Sequence, residues 1–157
     1  NVSFKDQPAG GEQPPAEQPD NTPWVSEFPI EVNEANMLRG QERYRIYCSV
    51  CHGLGGESDG LVTLQAQQLG ASTWVTPVQL SSENVVKQPV GKLFNTVTNG
   101  IRKMPGYASQ IPVEDRWAIV LYVRALQKSR TATKDQIPAD VLQHLEQGTP
   151  AEASKPE

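Results

Sequence analysis

Five consecutive positions, Cys48-Ser49-Val50-Cys51-His52, hold half of the Cys, His and Met side chains in this chain. The others are Met37, Met104 and His144, because the 157 residues include two cysteines, two histidines and two methionines. Any metal or cofactor centre is drawn from these six, plus oxygen ligands, so the fold must be built around the run 48–52. Composition narrows the rest. A formal charge of −4, from 14 Lys+Arg against 18 Asp+Glu, excludes a strongly basic nucleic-acid binder. The longest apolar run, Trp117 to Val123, has seven residues, and a spanning helix needs roughly 20. No charged-then-apolar signal segment opens the numbering.

Three regions follow from composition and periodicity. Residues 1–33 carry one base and six acids and contain Pro8, Pro14, Pro15, Pro19, Pro23 and Pro29. Each proline lacks an amide donor and restricts the residue before it. With few apolar groups to bury, this stretch reads as an extended arm, either a tether or a strap that wraps a partner subunit through Phe4, Trp24, Phe28 and Ile30. Order is expected from about Asn33, with a domain over 34–128 and a C-terminal extension over 129–157.

Within the domain, Met37, Gly40, Tyr44 and Tyr47 have the spacing of one helical face, with Asn36 as N-cap. Gly40 costs that helix up to ~1 kcal/mol relative to alanine, so a close helix crossing is expected there. Glycines at 53, 55, 56 and 60 mark a loop, and a short helix is expected over 61–69. Val90, Leu93, Phe94 and Val97 form the stripe of a helix over 89–99, closed by Asn99-Gly100. The strongest helix spans 112–128: Pro112 opens it, Glu114 and Asp115 lie in its first turn, and Arg124 and Lys128 near its end. Its centre, 117–123, is apolar on nearly all sides and must be core. A last helix is expected over 138–146. Strand signals are weak, so the fold reads as all-α with long loops.

Cys48-x-x-Cys51-His52 has the spacing of a c-type haem attachment site. Two thiols with two residues between them reach the two vinyl groups on one porphyrin edge, and the adjacent histidine is then held beneath the iron. Three other readings compete. A thioredoxin-like pair wants a βαβ context; a structural zinc site needs four ligands, usually as two knuckles; a disulfide leaves His52 unexplained. The helix running into Cys48 favours haem. The opposite axial position falls to Met104, Met37, His144 or no side chain. Met104 stands first, because it lies in a polar loop after Arg102 and Lys103 and before Pro105-Gly106, where it does not serve as core filler. Met37 sits on an apolar helix face, where methionine commonly fills gaps, and His144 on a polar helix.

Gly40-x-x-x-Tyr44-x-x-Tyr47-Cys48-x-x-Cys51-His52-Gly53, then Met104-Pro105, then Trp117-x-x-x-Leu121-Tyr122-Val123-Arg124-Ala125-Leu126 resembles a class I cytochrome c. Three stretches, 39–44, 93–100 and 112–120, are similar to the monohaem cytochrome c subunit of bacterial alternative complex III, a membrane quinol oxidoreductase. The resemblance covers about residues 36–128. It implies one covalent haem c per chain, His52 and Met104 as iron ligands, and Gly40 and Tyr44 crossing the Trp117–Tyr122 helix. It also implies a proline carbonyl that accepts the proton of the ligand histidine, for which Pro77 is the candidate, and propionate partners among Arg102, Trp74 and Tyr107. That subunit is often a lipoprotein with an N-terminal cysteine. This sequence opens at Asn1, so the anchor either precedes the numbering or is of another kind.

A haem with both axial positions filled by protein is left with one-electron transfer, and a thioether ligand raises its potential relative to bis-histidine ligation. The expected role is electron carriage in the bacterial periplasm, without a membrane span. The partners are other subunits of a membrane-bound respiratory complex or a periplasmic redox protein. Peripheral membrane association follows from the same resemblance. Lys87, Lys92, Arg102 and Lys103 are expected on the methionine side, either as a solvated face or as a dock for an acidic partner. Two other classes remain open: a five-coordinate, peroxidase-like enzyme, and an assembly subunit whose arm joins a complex together.

Overall fold

Two long helices that cross at a glycine organise the molecule. The computed structural model describes residues 23–146. The helices are α1 (Glu34–Tyr47), α2 (Ser49–His52), α3 (Leu61–Gln68), α4 (Glu83–Val86), α5 (Val90–Asn99), α6 (Val113–Thr131) and α7 (Ala139–Glu146). A 3-10 turn covers Lys134–Gln136. The only pairing of strands among the described residues is β1 (Gly100–Ile101) against β2 (Met104–Pro105), antiparallel, with Ile101 opposite Met104. With 56% helix and 3% strand, the architecture is all-α, as the periodicities require.

α1 packs across α6. A Cβ on Gly40 would lie 2.0 Å from the Ala118 carbonyl oxygen and 3.1 Å from Tyr122 Cβ, so the two backbones meet at a distance only glycine allows. Tyr44, one turn on, places its ring 5.4 Å from that of Tyr122. At the N-terminal end of the crossing, Arg39 grips buried Asp115 through two hydrogen bonds of 2.8 and 2.9 Å. The apolar centre of α6 is core as expected: Ala118, Ile119, Val120 and Leu121 are all within 3% exposure.

That helix divides the core in two. On one side Tyr44, Ile111, Ile119 and Val123 pack together; on the other Val85, Val90, Leu93, Trp117 and Val120. The second half departs from expectation, because the chain is ordered before Asn33. Phe28 and Ile30 pack against this cluster, with the Phe28 ring edge-on to Trp117 at 6.3 Å. The Val25 carbonyl accepts from the Gly91 amide at 3.0 Å. Two side chains expected as anchors for a partner subunit thus complete this chain's own core. Phe4 and the residues past Glu146 lie outside the described residues.

The N-cap of α1 is Asn33, not Asn36. Its side chain accepts from the Asn36 amide at 2.9 Å, while Asn36 donates its own side-chain amide to the Glu31 carbonyl at 2.8 Å. Both asparagines fit the capping chemistry; the strap running back over α5 decides between them by fixing the chain at Glu31. Pro89 caps α5 from outside rather than occupying its first turn, and α6 runs three residues past Lys128.

Candidate haem site

The run 48–52 stands where α1 breaks into α2. The Cys48 amide still donates to the Tyr44 carbonyl at 2.8 Å, and the His52 amide to the Cys48 carbonyl at 2.9 Å. One continuous helical path therefore presents both thiols and the imidazole. Two buried hydroxyls pin the end of this path. Tyr44 Oη donates to the Gly53 carbonyl at 2.8 Å, and Thr63 Oγ1, from α3, donates to the Cys51 carbonyl at 2.9 Å. Gly60 lies against the same turn, where an added Cβ would stand 2.5 Å from the Val50 carbonyl oxygen.

Cys48 and Cys51 are not joined to each other in a disulfide. Burial, with the neighbouring Cys51 adding to it, pushes the Cys48 thiol up to about 12, and burial raises Cys51 as well. Exchange chemistry of the thioredoxin kind needs the opposite shift, toward thiolate, and no βαβ unit is present among the described residues. Among the described residues no three His, Cys, Asp or Glu side chains converge as a metal cluster.

Burial also holds His52 below the ordinary imidazole range, keeping it neutral, with the main chain of Val78 acting weakly in the other direction. Nδ1 of His52 is enclosed and has no partner in good hydrogen-bonding geometry. The backbone acting on the ring belongs to Val78, one residue beyond the expected Pro77. Trp74, from the same loop, likewise encloses an unpartnered Nε1.

Met104 stands half-buried in β2. Its hairpin hangs from the last turn of α5: the Tyr107 amide donates to the Val97 carbonyl at 2.9 Å, and the Ala108 amide to the Thr98 carbonyl at 3.2 Å. The segment after the hairpin returns to the cysteines. The Tyr107 ring meets Tyr47 edge-on at 6.2 Å, and its phenol is raised by burial and by the nearby Cys48 and Cys51 thiols. Arg102 lies exposed at the hairpin tip with φ 53°. Met37 is half-buried on α1, and the side chain of His144 lies outside the described residues. The four cations do not form one group. Lys87, ion-paired with Glu83, and Lys92 line a groove of about 470 Å³ with Trp24, at the start of α5; Arg102 and Lys103 follow its end.

A family model described as cytochrome c oxidase, cbb3-type, subunit III matches residues 35–123, more than half of the chain. The chain belongs to this family of c-type cytochromes. Its all-α architecture is thus a class I cytochrome c fold carrying a covalently bound haem c, and its work is haem-based electron transfer. No curated protein sequence matches it. The residues fit the group. The two enclosed nitrogens without partners, His52 Nδ1 and Trp74 Nε1, sit on side chains whose chemistry suits an axial ligand and a propionate donor. Sequence reasoning passed over Thr63 and Val78. Thr63 lies in the apolar stretch Leu61-Val62-Thr63-Leu64, where the three apolar side chains are exposed and the threonine is buried, and no local pattern announces that inversion.

Proposed function

We propose that this cytochrome transfers single electrons through a haem fixed by thioether bonds at Cys48 and Cys51 and held axially by His52 and Met104. It acts as the monohaem subunit of a membrane quinol-oxidising respiratory complex in the bacterial periplasm. The group supplies one-electron ferric–ferrous chemistry when bound. The chain supplies the rest. Burial keeps His52 in the neutral form that ligates, and the α1–α2 path sets the imidazole immediately past the two thiols. The Val78 main chain, placed by Pro77, faces that ring as its proton acceptor. Met104 contributes a thioether, which favours ferrous iron and raises the potential. Trp74 and Arg102 serve the propionates, one by its enclosed N–H and the other by its charge.

One observation carries this reading. A buried imidazole turned toward the Val78 main chain directly follows two cysteines that are not bridged to each other, and the segment after Met104 closes on those same cysteines through Tyr107. The complex assignment rests on the similarity of stretches 39–44, 93–100 and 112–120. No helix among the described residues is long and apolar enough to cross a membrane; peripheral association, through other subunits or an anchor, is part of the same proposal and rests on the same similarity.

The test is the absorption spectrum of the oxidised holoprotein. The weak red-end band of iron–thioether bonding is expected; Met104→Ala abolishes it and Met37→Ala leaves it. Rapid binding of carbon monoxide or cyanide by most of the unmodified haem overturns the six-coordinate carrier in favour of a five-coordinate enzyme.

A further inference from the structure

Arg116, in the first turns of α6, is 7% exposed, and among the described residues no carboxylate pairs with it. The adjacent acid, Asp115, is bound to Arg39 and Arg43. A buried cation without a counter-charge is costly, so its few contacts define where it sits. Its guanidinium carbon stands 5.1 Å over the Phe94 ring, and Phe94 is stacked on Trp117 at 4.0 Å and 12°. Nη1 donates to Thr98 Oγ1 at 2.6 Å, while Nε stays enclosed without a partner. Thr98 is also the residue whose carbonyl receives the Ala108 amide. One residue of α5 therefore meets α6 through its hydroxyl and the segment following Met104 through its carbonyl. The other side-chain hydrogen bonds and ion pairs that α6 makes as donor across the described fold go to Leu80, Val86, Gln88 and Glu57, from the far end of the helix, and to Gln136 beyond it.

We propose that Arg116 is the positioning residue for the Met104 hairpin, acting through Thr98. The buried guanidinium, held on the Phe94 face, fixes the last turn of α5 and with it the two main-chain bonds that hang the hairpin. The proposal deepens the His52/Met104 reading and rests on it for the role of the methionine.

The experiment uses the holoprotein with Thr98→Val, Thr98→Ser and Arg116→Lys, reading amide hydrogen exchange and the thioether–iron band. A hydrogen bond to a charged group supports roughly a tenfold change in a local equilibrium. Thr98→Val is therefore expected to speed exchange at the Tyr107 and Ala108 amides about tenfold relative to those of Cys48 and His52. It is also expected to lower by about one unit the alkaline pH at which the band disappears. Thr98→Ser, which keeps the hydroxyl, restores both. Arg116→Lys cannot span Thr98 and the Phe94 face together, so it moves the same two amides. If the Tyr107 and Ala108 amides change only in step with Cys48 and His52, Arg116 is a general stability residue and the proposal is overturned. A wild-type spectrum without the band overturns the ligand reading instead, and the amide comparison then still decides the role of Arg116.

Discussion

The two sides of this cytochrome are held by different means. On the cysteine side, three residues converge on one turn: Tyr44 from α1 and Thr63 from α3, at 1% and 0% exposure, each bind a main-chain carbonyl of 51–53, and Gly60, the N-cap of α3, closes against its edge. On the methionine side, a hairpin with Ile101 44% exposed hangs from α5 by two main-chain bonds, with one buried guanidinium behind it. Local opening follows exposed backbone and sparse packing. The cysteine side is thus the rigid frame, and the hairpin is where the fold opens first. On the proposed attachment at Cys48 and Cys51 and the proposed ligation by Met104, a carrier built this way keeps its attachment fixed and places any ligand exchange on the other face.

The largest expected effect tests the rigid frame. Gly40→Ala forces a Cβ to within 2.0 Å of the Ala118 carbonyl, and the obstacle is backbone, which cannot rotate away. The α1–α6 crossing must then widen, with an expected loss of roughly 3 kcal/mol or more, read as a fall in the urea midpoint. Gly60→Ala meets backbone atoms at 2.5–2.6 Å and is expected to act in the same direction. If either variant unfolds at the wild-type midpoint, the cysteine side is no stiffer than the hairpin side and the contrast fails.

A smaller effect is expected where the strap supports the α5 side of the core. Phe28→Ala removes a half-buried ring that meets Trp117 edge-on, and about 2 kcal/mol is expected, below the cost of a fully enclosed phenylalanine. A chain begun at Glu34 loses Phe28, Ile30 and the Val25 bond to Gly91 together, whereas one begun at Pro23 keeps them. Truncation at Glu34 is therefore expected to destabilise the domain in urea, with hairpin amides exchanging before those of α2. A Glu34 truncation as stable as the Pro23 chain shows that the strap bears no part of the methionine side.

Legibility in the sequence follows the same division. The run 48–52, the crossing glycine and the apolar centre of α6 were readable because each is a local pattern with one physical meaning. Only a close approach explains Gly40 on a helix face, and only core explains 117–123. What escaped is what depends on distant partners. Phe28 and Ile30 sit among prolines and read as arm, because nothing within ten residues announces Trp117 as their neighbour. The choice between Asn33 and Asn36 as cap turns on where the strap places Glu31. The hairpin is two residues per strand, too short for any alternation to register, and Arg102 adopts φ 53° without a glycine to signal it. Met104 was readable as a ligand candidate by elimination, but the bonds that hang it from α5 were not.

The smallest expected effect isolates one hydroxyl of the rigid frame. Tyr44→Phe leaves the ring in place and strips the Gly53 carbonyl of its 2.8 Å partner, an expected loss of about 1–2 kcal/mol at neutral pH. The pH dependence carries a second signature. Burial first, then the nearby Cys48, Tyr122 and Asp59, raises the Tyr44 phenol above its ordinary 10.0. A group whose folded pKa exceeds its unfolded one gives full support below the unfolded value and loses it as pH rises beyond. The wild type is therefore expected to lose stability above about pH 10 by up to roughly 1.4 kcal/mol per unit from this group, and Tyr44→Phe to lack that component. Urea midpoints at pH 7, 10 and 11 check both signs: the variant starts lower, and the gap narrows with alkali. No gap at any of the three pH values means that Tyr44 holds the turn by packing alone, and Thr63 is then the one hydroxyl among the described residues that secures it.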